Sequence, residues 1–405
     1  MHVIFIAPGY PAEMPHFVRG LASQGATVLG VSDVPVDQLP ELAKRHLADY
    51  LHVPSLQDED DVVRRVAAWS ADRAIARVIC MWEPGVVLAA KLRVALQVPG
   101  QSVEAAMRFR DKDLMKQHIV AAGIRAARHA RAATAQEVRD AVAQVGFPAI
   151  IKPIAGAGSM DTFRVADAAV LEAALAQLTH VPEVQVEEFI TGEEFTFDTI
   201  CIDGRIAYYN IGYYRPNPLL ARSHEWISPQ TLCLRDPDAP ELAGGRALGE
   251  AVLKAMEFGT GFTHMEWFLT ASGEAVFGEI AARPPGAHTV DLMNFVSDID
   301  LFTGYAEAEL FGTFSLPVER KYNTANIFKR AEGQGRITRI EGLAGLMQRH
   351  GAHVVHLDLL PIGAPRRDWK LTLLSDGYVV VRHPDWNTTK QIADDFGTDL
   401  RLYAS

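Results

Sequence analysis

Two glutamates, Glu266 and Glu279, lie in the apolar-flanked segments His264-Met265-Glu266-Trp267-Phe268 and Phe277-Gly278-Glu279-Ile280, and a Ser272-Gly273 turn between them predicts a hairpin. Such a hairpin sets two carboxylates against one site, with Arg283 just beyond the second. Hard divalent cations take oxygen ligands, and a nucleoside triphosphate brings its phosphates to the cation, so the arrangement suits Mg²⁺-nucleotide chemistry. An arginine alongside can hold a phosphate or a developing oxyanion through two hydrogen bonds. Alone, each strand carboxylate reads by default as a solvent-facing residue of an antiparallel pair. The weight therefore falls on what precedes them: two lysines, a loop of small residues and a glutamate-rich linker.

Lys112 and Lys116 sit in a helical stretch over residues 108–122, Arg110 among them. Lys152 closes the apolar strand Ile150-Ile151-Lys152-Pro153, where an ammonium needs a partner because desolvating it alone is costly. Lys116 reads as a solvated helix lysine. The loop Ala155-Gly156-Ala157-Gly158-Ser159 follows at once, and its small residues let backbone N–H groups approach phosphates. In isolation that loop is an ordinary turn; behind Lys-Pro on a strand it gains meaning.

The elements that must position these groups follow a rhythm. Over the first hundred residues, strands at 2–7, 27–31 and 76–82 alternate with helices near 17–23 and 62–69, which predicts parallel βαβ units. Ligands of such sheets sit at the carboxyl ends of strands, which marks Glu83 as a candidate and Gly9-Tyr10 as turn residues. The spaced glycines of a dinucleotide fingerprint are absent there. Residues 125–187 form a small α+β block, and strands with a turn at Asp203-Gly204 follow. Residues 312–317 mark a boundary, after which strands at 370–374 and 378–382 flank Asp376-Gly377 as a hairpin.

At 405 residues the chain is expected to hold several subdomains. Its hydrophobic fraction of 48% and charged fraction of 22% are those of a globular protein. A net charge of −11 without clustered Lys and Arg argues against a nucleic-acid partner. No run of about 20 apolar residues points to a membrane, so cytoplasmic residence is the expectation. Cys80, Cys201 and Cys233 are too dispersed for a disulfide framework or a zinc site. A homodimer is the prior for an enzyme of this kind.

Taken together, the segments Arg110-Asp111-Lys112-Asp113-Leu114-Met115-Lys116, Ile150-Ile151-Lys152-Pro153, the small-residue loop, Val186-Glu187-Glu188-Phe189-Ile190-Thr191-Gly192-Glu193-Glu194 and the two-glutamate hairpin resemble the ATP-grasp superfamily over essentially the whole length. Within it the chain is similar to carboxylate–amine ligases that make dipeptides from free amino acids. Its tail is similar to the C-terminal region of biotin-carboxylase-type members. The resemblance implies an α/β ATP-grasp fold: an N-terminal βαβ pre-ATP-grasp domain at 1–106 and an ATP-grasp domain at 107–314. That domain divides into a flap at about 125–187 and a catalytic subdomain at about 188–314, and a strand-rich C-terminal domain occupies 315–405.

The resemblance also implies roles. Lys112, Lys152, Gly156, Gly158 and Ser159 would hold the phosphates of ATP, Glu187 with the Phe189 and Ile190 main chain would meet adenine, and Glu194 the ribose. Glu266 and Glu279 would bind Mg²⁺ or Mn²⁺. A third ligand, asparagine, is common two residues after the second glutamate, and Ala281 stands there. Arg283 would face an acylphosphate, His224 would orient or deprotonate the amine, and Glu83, Arg215 and His288 would contact substrates. The partners implied are a small carboxylate and an amine, joined through an acylphosphate. The alternatives are a carboxylase or nucleotide-metabolism synthetase using the same chemistry, and an ATP-binding module without catalysis.

Overall fold

The computed structural model describes residues 1–156, 161–372 and 374–405. Strands β1 (His2–Ile6), β2 (Thr27–Ser32), β3 (Asp49–His52) and β4 (Ile75–Cys80) form a parallel sheet in the order β3-β2-β1-β4. Helix α1 (Met14–Ser23) packs beneath it. The helical stretch expected at 108–122 is broken in two. Val103–Arg110 ends at Asp111, whose carboxylate accepts from the N–H groups of Asp113 and Leu114 at 2.9 and 3.0 Å and so caps α2 (Lys112–Ala121). Capping places Lys112 in the first turn of a new helix.

Strands β5 (His129–Ala132), β6 (Ala149–Pro153), β7 (Phe163–Val165) and β8 (Val184–Glu188) form a second sheet, order β5-β8-β6-β7. Beside it stands an eight-stranded sheet that begins with β9 (Gly192–Ile202), β10 (Arg205–Arg215), β11 (Gln230–Cys233), β12 (Gly261–Thr270) and β13 (Ala275–Ala281). Helices α3 (Ala243–Ala255), α4 (Thr289–Ser297) and α5 (Leu301–Phe311) pack on this catalytic sheet.

The chain after residue 315 does not build only a sheet of its own. Of β14 (Asn323–Phe328), β15 (Glu332–Gly333), β16 (Ile337–Glu341), β17 (Val354–Leu359), β18 (Gly377–His383) and β19 (Arg401–Ala404), three extend the catalytic sheet, in the order β13-β12-β9-β10-β11-β14-β18-β17. The hairpin expected around Asp376-Gly377 is absent: β18 pairs with β14 and β17, and the described residues of 370–374 carry no strand. Asp376 is fully buried and accepts from the N–H groups of Ala331 and Arg367, so it ties loops together where a hairpin turn would face solvent. Helix α6 (Trp386–Asp399) covers this end of the sheet. No helix among the described residues is long and apolar enough to cross a membrane.

Period-two alternation divides the catalytic sheet into two faces. Phe195, Phe197, Met265 and Trp267 turn to α3 and the core, while Glu194, Thr196, Asp198, His264 and Glu266 share the other face. Trp267 is fully buried and stacks on Phe195 at 5.0 Å. Burying roughly 150–250 Å² of an aromatic at about 25 cal/mol/Å² is worth ~4–6 kcal/mol before conformational entropy, enough to pin this register. On β13 strict alternation would leave Phe277 and Glu279 on the same side. A register shift between Glu266 and Trp267 prevents this: Glu266 opposes Glu279, Trp267 opposes Phe277, and Gly278 is the extra residue. A Cβ at Gly278 would come 2.7 Å from the Glu266 carbonyl oxygen, so glycine is required where the strand bulges.

Candidate active site

The bulge aims Glu279 across the hairpin at Glu266, and β6 and α2 bring lysines to the same place. Lys152 on β6 lies 3.3 Å from Glu279 and 3.0 Å from Glu187, while Lys112 lies 3.4 Å from Glu279 and donates to the Gly156 carbonyl at 3.0 Å. Lys116, expected in solvent, is wholly buried and reaches Glu187 at 2.7 Å. The helix places Lys116 one turn beyond Lys112, on the side the flap covers. Its burial comes from tertiary packing that helix periodicity does not register.

Three ammonium groups and two carboxylates in this group leave one positive charge in excess. Burial alone would raise Glu187, but Lys116 and Lys152 outweigh it and hold the carboxyl below its usual range. Glu279 is likewise pulled down by Lys112 and Lys152 against its burial. Burial would lower Lys152, yet Glu187 and Glu279 raise it above the ordinary lysine range. One carboxylate cannot serve two ammoniums equally: burial, with Lys152 adding repulsion, lowers Lys116 to about 8 in spite of Glu187. Glu194 is pushed well up by burial and by the charges of Glu266 and Glu279. Carboxylates and ammoniums thus crowd into one cleft, with Glu279 in contact with both Lys112 and Lys152.

That cleft is lined by Lys112, Lys152, Glu187, Glu194, Glu266 and Glu279, with Ile190 and Phe268 as apolar walls. Phe189 also lines it, but its N–H donates to the Pro148 carbonyl and its ring lies under Arg164 at 4.7 Å. The Glu187 side chain faces the lysines, and its main chain is paired with His129 and Ile150 in the sheet. Gly156 is anchored through its carbonyl by Lys112 and Arg110. Gly158 and Ser159 lie outside the described residues.

Arg283 donates through Nε to Glu83 at 2.7 Å, and Glu83 is also 3.9 Å from Arg110. Glu83 was expected at the substrate. It instead links Arg283 to an arginine that donates to the Ala155 and Gly156 carbonyls, so one carboxylate at the end of β4 connects the two halves of the cleft. His288 donates its N–H to Glu13, pairs through Nδ1 with Asp291 at 2.9 Å, and stacks on Tyr378 at 4.8 Å. Ala287 and His288 both hold positive φ, 56° and 60°, a conformation uncommon for residues other than glycine.

Arg215 is engaged elsewhere, and His224 is not among the residues that line the cleft. Arg215 bonds Gln230 at 3.1 Å and pairs with Asp394 of α6 at 3.2 Å, so its guanidinium serves the sheet–helix junction. His224 is exposed on the loop between β10 and β11, with Nδ1 2.6 Å from Ser223 Oγ and its ring 5.6 Å from Trp226. The same loop reaches the cleft through Asn217, Pro218 and Leu219.

Sequence reasoning passed over three further residues of this face. His264 lies between Asp198 at 2.6 Å and Glu266 at 3.6 Å. Burial would lower its imidazole, but the two carboxylates raise it to about 9. The Tyr214 hydroxyl is driven well up by burial and by Glu266, Asp198 and Glu194. The alternation Glu194-Phe195-Thr196-Phe197-Asp198 carried a signal that Asp198 shares a face with Glu194, while His264 and Tyr214 join that face only through pairing between strands.

No protein-family model matches the chain. It is 25% identical over 322 residues to an L-arginine-specific L-amino acid ligase of Bacillus subtilis, a match covering 75% of this chain and 76% of that protein. An alanine–anticapsin ligase of Bacillus subtilis is 26% identical over 306 residues, covering 66% and 62%. The solved structure of an L-amino acid ligase from Bacillus licheniformis superposes with a TM-score of 0.80 at 19% identity, covering 100% of this chain and 98% of that one. The chain has the ATP-grasp fold, and the proteins it is similar to are ligases.

Proposed function

We propose that this ATP-grasp ligase joins the carboxylate of one amino acid to the amine of a second amino acid or small amine, through an acylphosphate, releasing ADP and phosphate. The observation that carries the proposal is one charged cleft: Lys112 and Lys152 converge on Glu279, Glu266 opposes Glu279 across the hairpin, and Arg283 is held by Glu83. The similarity to L-amino acid ligases supports amino acids as the substrates.

Mg²⁺ fits the donors present: Glu266 and Glu279 oppose each other in one register pair, and their hard oxygen donors would hold the ion. Among the described residues no group of three or more His, Cys, Asp and Glu is placed to hold a metal ion by itself. Bound there, the ion would neutralise charge between the β- and γ-phosphates.

Lys112 and Lys152 bind phosphoryl oxygens, exchanging their contacts to Glu279 for the nucleotide. The substrate carboxylate oxygen attacks the γ-phosphorus, the bond from that phosphorus to the β-bridging oxygen breaks, and ADP leaves with the electron pair. Arg283 holds the acylphosphate and the oxyanion formed when the amine nitrogen attacks the acyl carbon. Phosphate departs with the carbon–oxygen pair, and the proton lost by the amine passes to solvent. His224, on the loop whose start lines the cleft, is the candidate to orient the amine, and closure of that loop would bring it in.

The test is phosphate release over pairs of amino acids, with mass detection of products and with bicarbonate and formate as separate arms. The expected result is phosphate that depends on both partners and a product one water lighter than their sum. Turnover with bicarbonate and none with any amino acid would transfer the assignment to a carboxylase, and nucleotide binding without turnover in every arm would leave a binding module.

A further inference from the structure

We propose that Asp198 and His264 are positioning residues that set the orientation of the Glu266 carboxylate for its divalent cation. The proposal rests on the assignment of Glu266 as a metal ligand made above.

The three groups form a row across adjacent strands. In the β12–β9 register His264 opposes Asp198 and Glu266 opposes Thr196, so all four side chains emerge on one face. Asp198 and Thr196 are 0% and 1% exposed, and His264 is 8% exposed. A buried carboxylate persists only when its oxygens are satisfied, and those of Asp198 are. Its Oδ2 accepts from Thr196 Oγ1 at 2.7 Å, and Thr196 Oγ1 accepts from the Gly212 N–H at 3.1 Å. Its Oδ1 meets His264 Nδ1 at 2.6 Å. The backbone of β10 thus fixes Thr196, Thr196 fixes Asp198, and Asp198 fixes the imidazole with its proton on Nδ1.

One ring nitrogen remains, and it faces Glu266. His264 Nε2 stands 3.6 Å from Glu266 Oε1. That separation exceeds a hydrogen bond, so the contact biases the rotamer of Glu266 without clamping it. The cross-strand neighbour of His264 on β13 is Ala281, whose methyl group leaves the imidazole edge uncrowded. The Glu266 side chain itself is 26% exposed and reaches the cleft, whereas everything behind it is buried. A buried, hydrogen-bonded support behind a partly exposed carboxylate is the arrangement by which outer groups orient metal ligands.

The experiment uses the full-length protein with Mn²⁺ as the probe ion, its binding read by electron paramagnetic resonance in the presence of ADP. ADP affinity in EDTA is measured by calorimetry alongside. His264→Gln and Asp198→Asn are expected to weaken Mn²⁺ by about 10–100-fold, the usual cost of losing an outer partner, while ADP affinity in EDTA stays unchanged. Asp198→Asn is close to isosteric and carries the test if His264→Gln fails to fold. Glu266→Gln is the reference. Loss of Mn²⁺ binding in Glu266→Gln with none in the other two overturns the positioning role and spares the metal assignment. Unchanged Mn²⁺ binding in Glu266→Gln overturns the metal assignment and the proposal with it. An equal loss of Mn²⁺ and metal-free ADP binding in His264→Gln and Asp198→Asn would reduce the pair to a structural support and also overturn the proposal.

Discussion

Lys116→Met should stabilise the protein while weakening its grip on nucleotide. Lys116 is wholly buried, and its partner Glu187 keeps a second ammonium, Lys152, at 3.0 Å after the substitution. Burial first, and Lys152 second, bring the Lys116 ammonium from 10.5 to about 8. At 1.36 kcal/mol per pKa unit, the charged form costs the fold about 3 kcal/mol at neutral pH. The folded value lies below the unfolded one, so stability rises as pH climbs from about 8 to 10.5 and the cost is fully present below 8. Methionine fills nearly the same volume without charge. Urea unfolding should therefore show a gain of about 1–3 kcal/mol at pH 7.5 that fades toward pH 10.5. ADP affinity should fall on the order of tenfold, because the excess positive charge of the lysine group is gone. A variant less stable than the parent at pH 7.5, or a gain that does not vary with pH, would refute the reasoning.

Glu279→Ala should abolish product formation yet leave metal-free ADP binding as tight as in the parent or tighter, since Lys112 and Lys152 are released from a carboxylate at 3.4 and 3.3 Å; calorimetry in EDTA checks this, and lost binding would contradict it. Gly249→Ala should cost at least about 1–3 kcal/mol in urea unfolding, because its Cβ would sit 2.4 Å from Phe197 Cδ1 in a packed core. Burial opposes but Asp291 and Glu13 raise the His288 imidazole above 6.5, so its stabilisation is complete below that pH and is lost as pH rises through the raised value. The thermal stability difference between the parent and His288→Asn should shrink as pH rises above 6.5, and a constant difference would count against the assignment.

Several features of this site could be read from the chain because they are local. The Ser272-Gly273 turn and the alternation around Glu266 fixed the hairpin, and Lys152 at the end of an apolar strand announced a charged partner. What escaped depended on neighbours distant in sequence. Lys116 looks solvated on a helix, and only the flap shows that it is buried. The bulge at Gly278 is invisible to a period of two, yet without it Glu279 would leave the site. Asp198, His264 and Glu266 lie on two strands whose register the sequence does not state, so the row they form had no signature. Arg215 was expected at a carboxylate substrate and found Asp394, because α6 returns 179 residues later to cover the sheet. The extension of the catalytic sheet by β14, β17 and β18 was hidden for the same reason: long-range pairing leaves no mark on either segment alone.

The central claim is that a substrate carboxylate is phosphorylated by ATP before the amine attacks it. Isotope transfer tests this most directly: an amino acid carrying ¹⁸O in its carboxylate is incubated with ATP, Mg²⁺ and an amine acceptor, and the released phosphate is weighed by mass spectrometry. The account predicts one ¹⁸O in each phosphate formed with product, and ADP as the nucleotide. Unlabelled phosphate, or AMP and pyrophosphate in place of ADP and phosphate, would contradict it.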